Sequence, residues 1–503
     1  MTSSLPPKRA KPAGKPIWPR IPAGFVRSVL AGHSALGLAF AALIYLVCFS
    51  GTLAVFAHEF ARWEKPSAPM LQAVAPASVQ RALAAAQAEF GSPAEHAYLT
   101  LPTPELPRFQ ISLDIGHGKV ERKWFVDGAG ALAGSADAAW TDFMSALHIY
   151  LHLPRTWGGF VVGLTGVALL SSLISGVLAH PRVFKDAFHL RWGGSKRLQE
   201  ADLHNRIGVW GLPFHLIVTL TGALLGLATL IIGVLAMVVF DGDTGKVYEV
   251  FFGPPPIDDP RPAPLPNLVA ALDGVERLTP GALPTFVAVE HPNERGQGVL
   301  VTARQPDRLA LGENYTFDGA GGLIRAPKTV DRSMGERVFN VLAVLHFGWF
   351  GGWPIKIAYG LLGLGLTTVT SSGVAIWLAR RRDKGRPAPR WERIWIAAVW
   401  GQPFAYAASM VGALAAPMIA PVAVWAAATA AALATALAWD VKAISARLRL
   451  ATAALLVVAA ASHLAVHRAA YADPMAWGVQ ASLIVVAAVL TATVLRKGVQ
   501  PGS

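Results

Sequence analysis

A helix needs about 20 consecutive apolar residues to cross a bilayer, because no water is available there to satisfy its backbone. This chain has such runs at residues 35–57, 160–179, 207–240 and 357–379. A charge-free stretch at 394–439 is long enough for two more, with a break expected near Pro417 and Pro421. Runs at 450–466 and 475–495 complete eight spans. Only 15% of the 503 residues are charged and 53% are hydrophobic, which excludes an ordinary soluble protein of this size.

Basic residues orient the spans. Lys8, Arg9, Lys11, Lys15, Arg20 and Arg27 precede the first; Arg182, Lys185, Arg191, Lys196, Arg197 and Arg206 lie between the second and third. "RRRDKGRPAPRWER" follows the fourth, and Lys442, Arg447, Arg449, Arg496 and Lys497 mark later connections. All fall on one side of an even-span arrangement. The positive-inside rule then places both termini in the cytoplasm; if the source is a bacterium, the expected membrane is the cytoplasmic (inner) one and the external regions face the periplasm. The net charge of +13 is largely this bias, so nucleic acid is not an expected partner. Residues 35–57 read as an anchor rather than a signal peptide. The single cysteine, Cys48, excludes a disulfide framework and cysteine-based zinc or iron–sulfur sites.

The expected layout is a basic tail (1–27), spans within 28–58, 142–180, 204–240 and 337–380, and external regions at 59–141 and 241–336. Cytoplasmic connections fall at 181–203 and 381–393, four further spans within 394–495, and a tail at 496–503. Each external region begins with helical character and continues into alternating strand-like patterns such as "RFQISLDI" and "GVLVTARQ".

The chain is internally duplicated. His33, Gly37 and Gly51 match His204, Gly208 and Gly222 at identical spacing. "GLTGVALLSSLISGV" from Gly163 matches "GLLGLGLTTVTSSGV" from Gly360, and His148 aligns with His346. "FVDGAGAL" and "TFDGAGGL" share an Asp-Gly turn. The unit is helix, external domain, helix, present twice and related by an axis along the membrane normal.

Duplication pairs the histidines. His33 and His204 start outward-going spans, and His148 and His346 start inward-going ones. Facing imidazoles at equivalent depth are an axial ligand pair for haem iron. From His33 to Gly51 is 18 residues, about 27 Å of helix, close to a hydrocarbon core of about 30 Å. One haem near each face would make a two-step electron path. The glycines fit either a macrocycle or close helix packing. Single histidines at span ends also serve as interfacial anchors.

His148 and His152, at i and i+4, are expected on one helix face, with His152 a supporting or alternative ligand. Copper or zinc on His148, His152 and His346 is an open alternative. His215, eleven residues after His204, is an intramembrane ionisable group that could contact a haem propionate, carry protons or replace His204. His180 is an interface anchor or a propionate or quinone contact. His58, His96, His117 and His291 read as surface residues, and His463 and His467 have no evident partner. Arg155, Trp157, Trp349 and Trp353 follow the external histidines, where they suit propionates or an aromatic belt.

"LHIYLH" at 147–152, "SGVLAHPRVFKDAF" at 175–188, "DLHNRIGVWGLPFHL" at 202–216, "LHFGWFGGWP" at 345–354 and "SSGVAIW" at 371–377, with the His33 helix, resemble the PepSY-associated transmembrane family of iron-regulated membrane proteins. The resemblance covers about residues 25–382. It implies a mainly α integral membrane protein with a four-helix haem core and two periplasmic α+β PepSY-like domains. The four C-terminal spans are an addition. One branch of the family reduces ferric siderophores in the periplasm with b-type haems on core histidines. For this chain that implies two b haems, with His33, His204, His148 and His346 as iron ligands. The substrate would be a ferric siderophore or another Fe(III) chelate. No nicotinamide or flavin fingerprint is present, since "GLLGLGL" lies inside a span. Electrons would come from the quinol pool or a separate reductase. The alternatives are a non-enzymatic PepSY-type binding or regulatory protein and an iron or siderophore transporter.

Overall fold

The computed structural model describes residues 22–116, 120–179, 196–252, 258–305, 312–327, 334–468 and 471–498. His180, His117, residues 1–21 of the basic tail and most of the 181–203 connection lie outside these.

The first repeat runs α1 (Ala23–Ala39), α2 (Ala41–Ala54), α3 (Ala57–Glu64) and α4 (Pro76–Phe90). Strands β1 (His96–Thr100), β2 (Phe109–Ile115), β3 (Val120–Val126) and β4 (Leu132–Ser135) follow, then α5 (Ala139–Tyr150) and α6 (Arg155–Ala179). The second repeat runs α7 (Lys196–Trp210), α8 (Leu212–Gly226), α9 (Ala228–Val239), α10 (Thr244–Phe252) and α11 (Leu268–Leu278). It continues with β5 (Leu283–Glu290), β6 (Gly298–Arg304), β7 (Glu313–Asp318) and β8 (Leu323–Arg325), then α12 (Met334–Phe347) and α13 (Gly352–Asp383). Four helices close the chain: α14 (Pro389–Ala415), α15 (Pro421–Ala438), α16 (Val441–His467) and α17 (Pro474–Gly498).

Six described helices are long and apolar enough to cross a membrane, and nine if each bent pair is one span. The protein is therefore a multi-pass membrane protein. The break expected near Pro417 and Pro421 falls between α14 and α15. Two spans expected to be continuous are broken. The chain bends 68° between α1 and α2, at Phe40, and 70° between α7 and α8, at Gly211. These are equivalent positions of the two repeats, so the bend is a feature of the unit. A further bend of 105° separates α9 from α10, at the far end of the segment expected to run unbroken to Phe240.

The two α+β regions are not separate bodies. Their strands form one eight-stranded sheet in the order β4-β3-β2-β1-β5-β6-β7-β8. β1 and β5 pair antiparallel, with Tyr98 opposite Ala288, and close the sheet across the repeat boundary. Alternation places Leu99, Ile111, Val287 and Val301 on one face, where Leu83 of α4 and Leu272 of α11 join them in a common core. The expected Asp-Gly turns are matched. Asp127 Oδ1 accepts from Ala129 and Ala131 N–H, and Asp318 Oδ1 accepts from Ala320 and Gly322 N–H. Gly130 (φ 90°) and Gly321 (φ 87°) take the left-handed position in each.

The C-terminal helices dock mainly on the first repeat, and α14 also touches α13, where the Trp395 indole donates to the Ser371 carbonyl (3.1 Å). Trp63 of α3 is fully buried among Met410, Leu456 and Val479, and its indole donates to Gln480 (3.2 Å). Asp473, just before α17, accepts a two-pronged pair of bonds from Arg62 (both 2.7 Å) and a third from Arg108 (2.9 Å). His463 is buried, stacked on Trp63 at 4.2 Å between ring centres, and bonded to the Trp63 carbonyl and to Tyr471 (2.7 Å). A histidine without an evident partner in the sequence thus belongs to this seam.

Candidate functional site

On the sheet side, α5 and α12 each present a histidine from the last turn of a short helix. The His148 and His346 rings are nearly parallel (11°), with centres 6.1 Å apart. Each ring is fixed by the helix before its own external region. His148 Nδ1 donates to the Val47 carbonyl (3.1 Å), with Ser50 Oγ at 3.3 Å. His346 Nδ1 donates to the Val218 carbonyl (3.1 Å), with Thr221 Oγ1 at 3.1 Å. Val47, Ser50 and Gly51 correspond to Val218, Thr221 and Gly222 at the offset that relates His33 to His204. A carbonyl can only accept, so Nδ1 carries the proton and Nε2 keeps its lone pair. Gly51 and Gly222 make the seats. A Cβ on either would lie 2.7 Å from the Cε1 atom of the facing histidine.

This spacing suits a shared metal. With a metal–imidazole bond of about 2.0 Å and about 1.1 Å from nitrogen to ring centre, two imidazoles in line on one ion have centres about 6.2 Å apart. The observed 6.1 Å lies within the range of offset ring pairs and is also close to that value.

On the opposite side, His33 and His204 line one cavity. His33 Nδ1 donates to the Ser172 carbonyl (3.0 Å), with Ser175 Oγ at 3.2 Å. His204 Nδ1 lies 3.0 Å from Ser372 Oγ, the repeat mate of Ser175. Gly176 and Gly373 give the rings clearance, their Cβ positions lying 3.3 and 3.5 Å from the two Cε1 atoms. Gly37 and Gly208 differ from the other paired glycines. They line the cavity, and a Cβ on either would meet nothing within 4 Å. The walls are mostly apolar, including Ile44, Leu173, Leu212 and Val374, with Ser34, Asn205 and Thr370 among them, and Arg380 contributes a cation. A flat, mostly apolar ligand with anionic groups matches that lining.

The other expected site residues separate. α5 ends at Tyr150, and Leu151 (φ 55°) and His152 (φ 53°) turn left-handed, so His148 and His152 do not share a helix face. His152 stacks on Phe143 (5.4 Å) and its Nε2 lies 3.0 Å from the Phe143 carbonyl. This turns it away from the His148–His346 pair and removes the three-histidine copper or zinc arrangement. Among the described residues no group of three or more His, Cys, Asp or Glu side chains is placed to hold a metal ion. His215 is fully buried in α8. His180 cannot be placed. Arg155 lies over the Tyr150 ring, and Trp157 and Trp353 are exposed. Trp349 stacks on His58, which is half-buried rather than superficial; desolvation, then the Lys356 charge, push the His58 imidazole down to about 4.

Sequence reading missed the carbonyls of Val47 and Val218, the hydroxyls of Ser50, Thr221, Ser175 and Ser372, and Arg380. Extending the repeat alignment residue by residue would have found the hydroxyls. It also missed the buried Glu59–Lys356 ion pair (2.7 Å), for which the repeat offers no signal, since the mates of these residues are Leu230 and Gly159.

Comparison with known proteins agrees with this duplicated core. An alignment over 255 residues, covering 47% of this chain, shows 32% identity to the uncharacterized protein PA4219 of Pseudomonas aeruginosa. The match spans 64% of that relative's length. The family model described as the PepSY-associated TM region matches residues 30–380, from the start of the first span through Arg380. The chain belongs to the PepSY-associated transmembrane family.

Proposed function

We propose that the chain carries electrons across the bacterial inner membrane to a ferric chelate, such as a ferric siderophore, in the periplasm. The observation that carries the reading is the parallel His148–His346 pair at 6.1 Å, with both Nδ1 protons committed to carbonyls. His148 and His346 would hold one b-type haem and His33 and His204 a second. The haems would supply reversible one-electron chemistry at iron.

The chain's own residues do the rest. The Val47 and Val218 carbonyls fix the tautomer and plane of the outer imidazoles, and by drawing on the Nδ1 proton they raise the basicity of Nε2. The Ser172 carbonyl does the same for His33, and Ser372 Oγ, which donates to the Thr368 carbonyl, can accept from His204 Nδ1. Gly37 and Gly208 leave room for a planar group, and Arg380 offers a counter-charge for its carboxylates. The sheet domain stands over the outer pair on the side to which the loop charges assign the periplasm, so a chelate would be reduced there. The donor would be a quinol or a separate reductase on or in the membrane.

Stopped-flow mixing of the dithionite-reduced protein with a ferric hydroxamate or catecholate tests this. Reoxidation of haem coupled one-to-one to trapped Fe(II) is expected. A haem that stays reduced in the presence of every ferric chelate offered would contradict the reaction.

A further inference from the structure

Five residues of α7 and α8, His204, Gly208, His215, Val218 and Gly222, with Gly211 at the bend between the helices, recur at spacings of four and three. That spacing defines one stripe of a helix. In the first repeat the stripe reads His33, Gly37, Phe40, Ile44, Val47 and Gly51. Its near end lines the His33–His204 cavity, and its far end seats the outer histidines. Ile44 lies in the wall of the His33–His204 cavity, and its mate His215 lies on the stripe between Gly208, which lines that cavity, and Gly222, which seats His346.

The His215 side chain is fully buried, and neither ring nitrogen has a hydrogen-bond partner of good geometry. The backbone groups that face it are those of Gly208 and Leu362. Thr219 Oγ1, one turn away, is also buried without a partner. Space for the imidazole is specifically made. A Cβ at Gly211 would lie 2.5 Å from the ring, whereas the equivalent break in the first repeat carries Phe40. A Phe–Ile pair in one repeat is thus a Gly–His pair in the other. The exchange places one titratable group where the duplicated fold would otherwise be apolar.

An electron entering a site of low dielectric attracts a proton to any nearby base, because an uncompensated charge there is costly. The other ionisable side chains described on helices packed against α8 are Arg155 on α6; Glu200, Asp202, His204 and Arg206 on α7; His346 on α12; and Lys356, Tyr359, Arg380, Arg381, Arg382 and Asp383 on α13. α9 carries none. Tyr359 approaches only through Phe214, which it meets edge-on at 4.9 Å. Among the described residues no carboxylate is hydrogen-bonded to His215, so nothing holds the imidazole permanently charged.

We propose that His215 takes up a proton when an electron enters the adjacent site, and releases it when the electron leaves. This rests on the haem reading above. One electron, from a quinol-class donor, goes to the haem iron. One proton, from water, goes to an imidazole nitrogen of His215, and no bond in the chain is broken. His215 is a positioning residue for charge, touching neither donor nor chelate.

The test is a spectroelectrochemical titration of the purified full-length protein between about pH 6 and 8, where imidazole titrates, with haem content measured in each sample. One of the two midpoint potentials is expected to fall by up to about 59 mV per pH unit, the value for one proton per electron. The slope should vanish in His215→Ile, which installs the residue of the other repeat, and in His215→Gln, which keeps hydrogen-bonding capacity. Two flat potentials in the wild type, or an unchanged slope in both variants at full haem content, would overturn the proposal. Loss of one haem in both variants would also overturn it, by assigning His215 a holding role. A protein that takes up no haem at all would instead overturn the reading on which the proposal rests.

Discussion

A methyl group at Gly222 would lie 2.7 Å from Cε1 of His346, and one at Gly51 equally close to His148, whereas one at Gly37 or Gly208 would meet nothing within 4 Å. The paired glycines are thus of two kinds, one seating a ring and one facing open space. The distinction was invisible in the sequence, where all four fitted either a macrocycle or helix packing. It yields opposed expectations. Gly222→Ala should displace the His346 ring, at about 1–3 kcal/mol for overpacking, and lower the pyridine haemochrome count from two haems per chain to one. Gly37→Leu should leave the thermal stability of haem-depleted protein unchanged, because the protein itself has room, yet reduce haem uptake at the His33–His204 site. Equal haem loss with equal destabilisation in both variants would show that the two kinds of glycine do the same job. The histidine pairs were legible because duplication sets them at fixed spacing. The fate of His152 was not, since it depends on a left-handed cap at Leu151 that no glycine announces.

At the level of elements, the spans and their order were readable from apolar length, but the bends at Phe40 and Gly211 were not, because the run of apolar residues continues through each break. The C-terminal helices carried no sequence signal for where they dock. Asp473 supplies it, joining Arg62 of α3 and Arg108 of β2's leading segment to the start of α17. Removing that carboxylate leaves two guanidinium groups without their counter-charge. Asp473→Asn should therefore cost about 3–5 kcal/mol, read as a lowered midpoint of thermal unfolding in detergent; an unchanged midpoint would show that the helices are held by apolar packing alone. Burial acts to raise the Asp473 carboxyl, but hydrogen bonds from Arg62, Met475 N–H and Arg108, with the Arg62 charge, outweigh it and hold the group below its ordinary range. A carboxylate depressed on folding stabilises at pH values above its unfolded pKa, about 3.9, and loses that contribution as pH falls through the lower folded value. The clamp should therefore be indifferent to pH from neutrality down to about 4 and weaken only below it.

Over the whole molecule, duplication is the organising fact. It places matching helices around one axis, matching histidines at two levels along it, and two α+β halves in a single sheet above. The sheet's closure between β1 and β5 could not be read from the sequence, since pairing across nearly two hundred residues of chain leaves no local pattern. What does break the symmetry is concentrated: the C-terminal helices, the Glu59–Lys356 pair in the N-terminal turns of α3 and α13, and the buried His215 in α8. The central claim is that the two symmetric histidine pairs each hold a haem. The measurement that addresses it most directly is the visible spectrum of the purified protein, oxidised and dithionite-reduced, with a pyridine haemochrome count for the wild type and for His148→Ala and His33→Ala. Two b haems per chain are predicted, with one lost in each variant and both lost when the substitutions are combined. A colourless protein after expression with ample haem, or a haem content untouched by either substitution, would contradict the account.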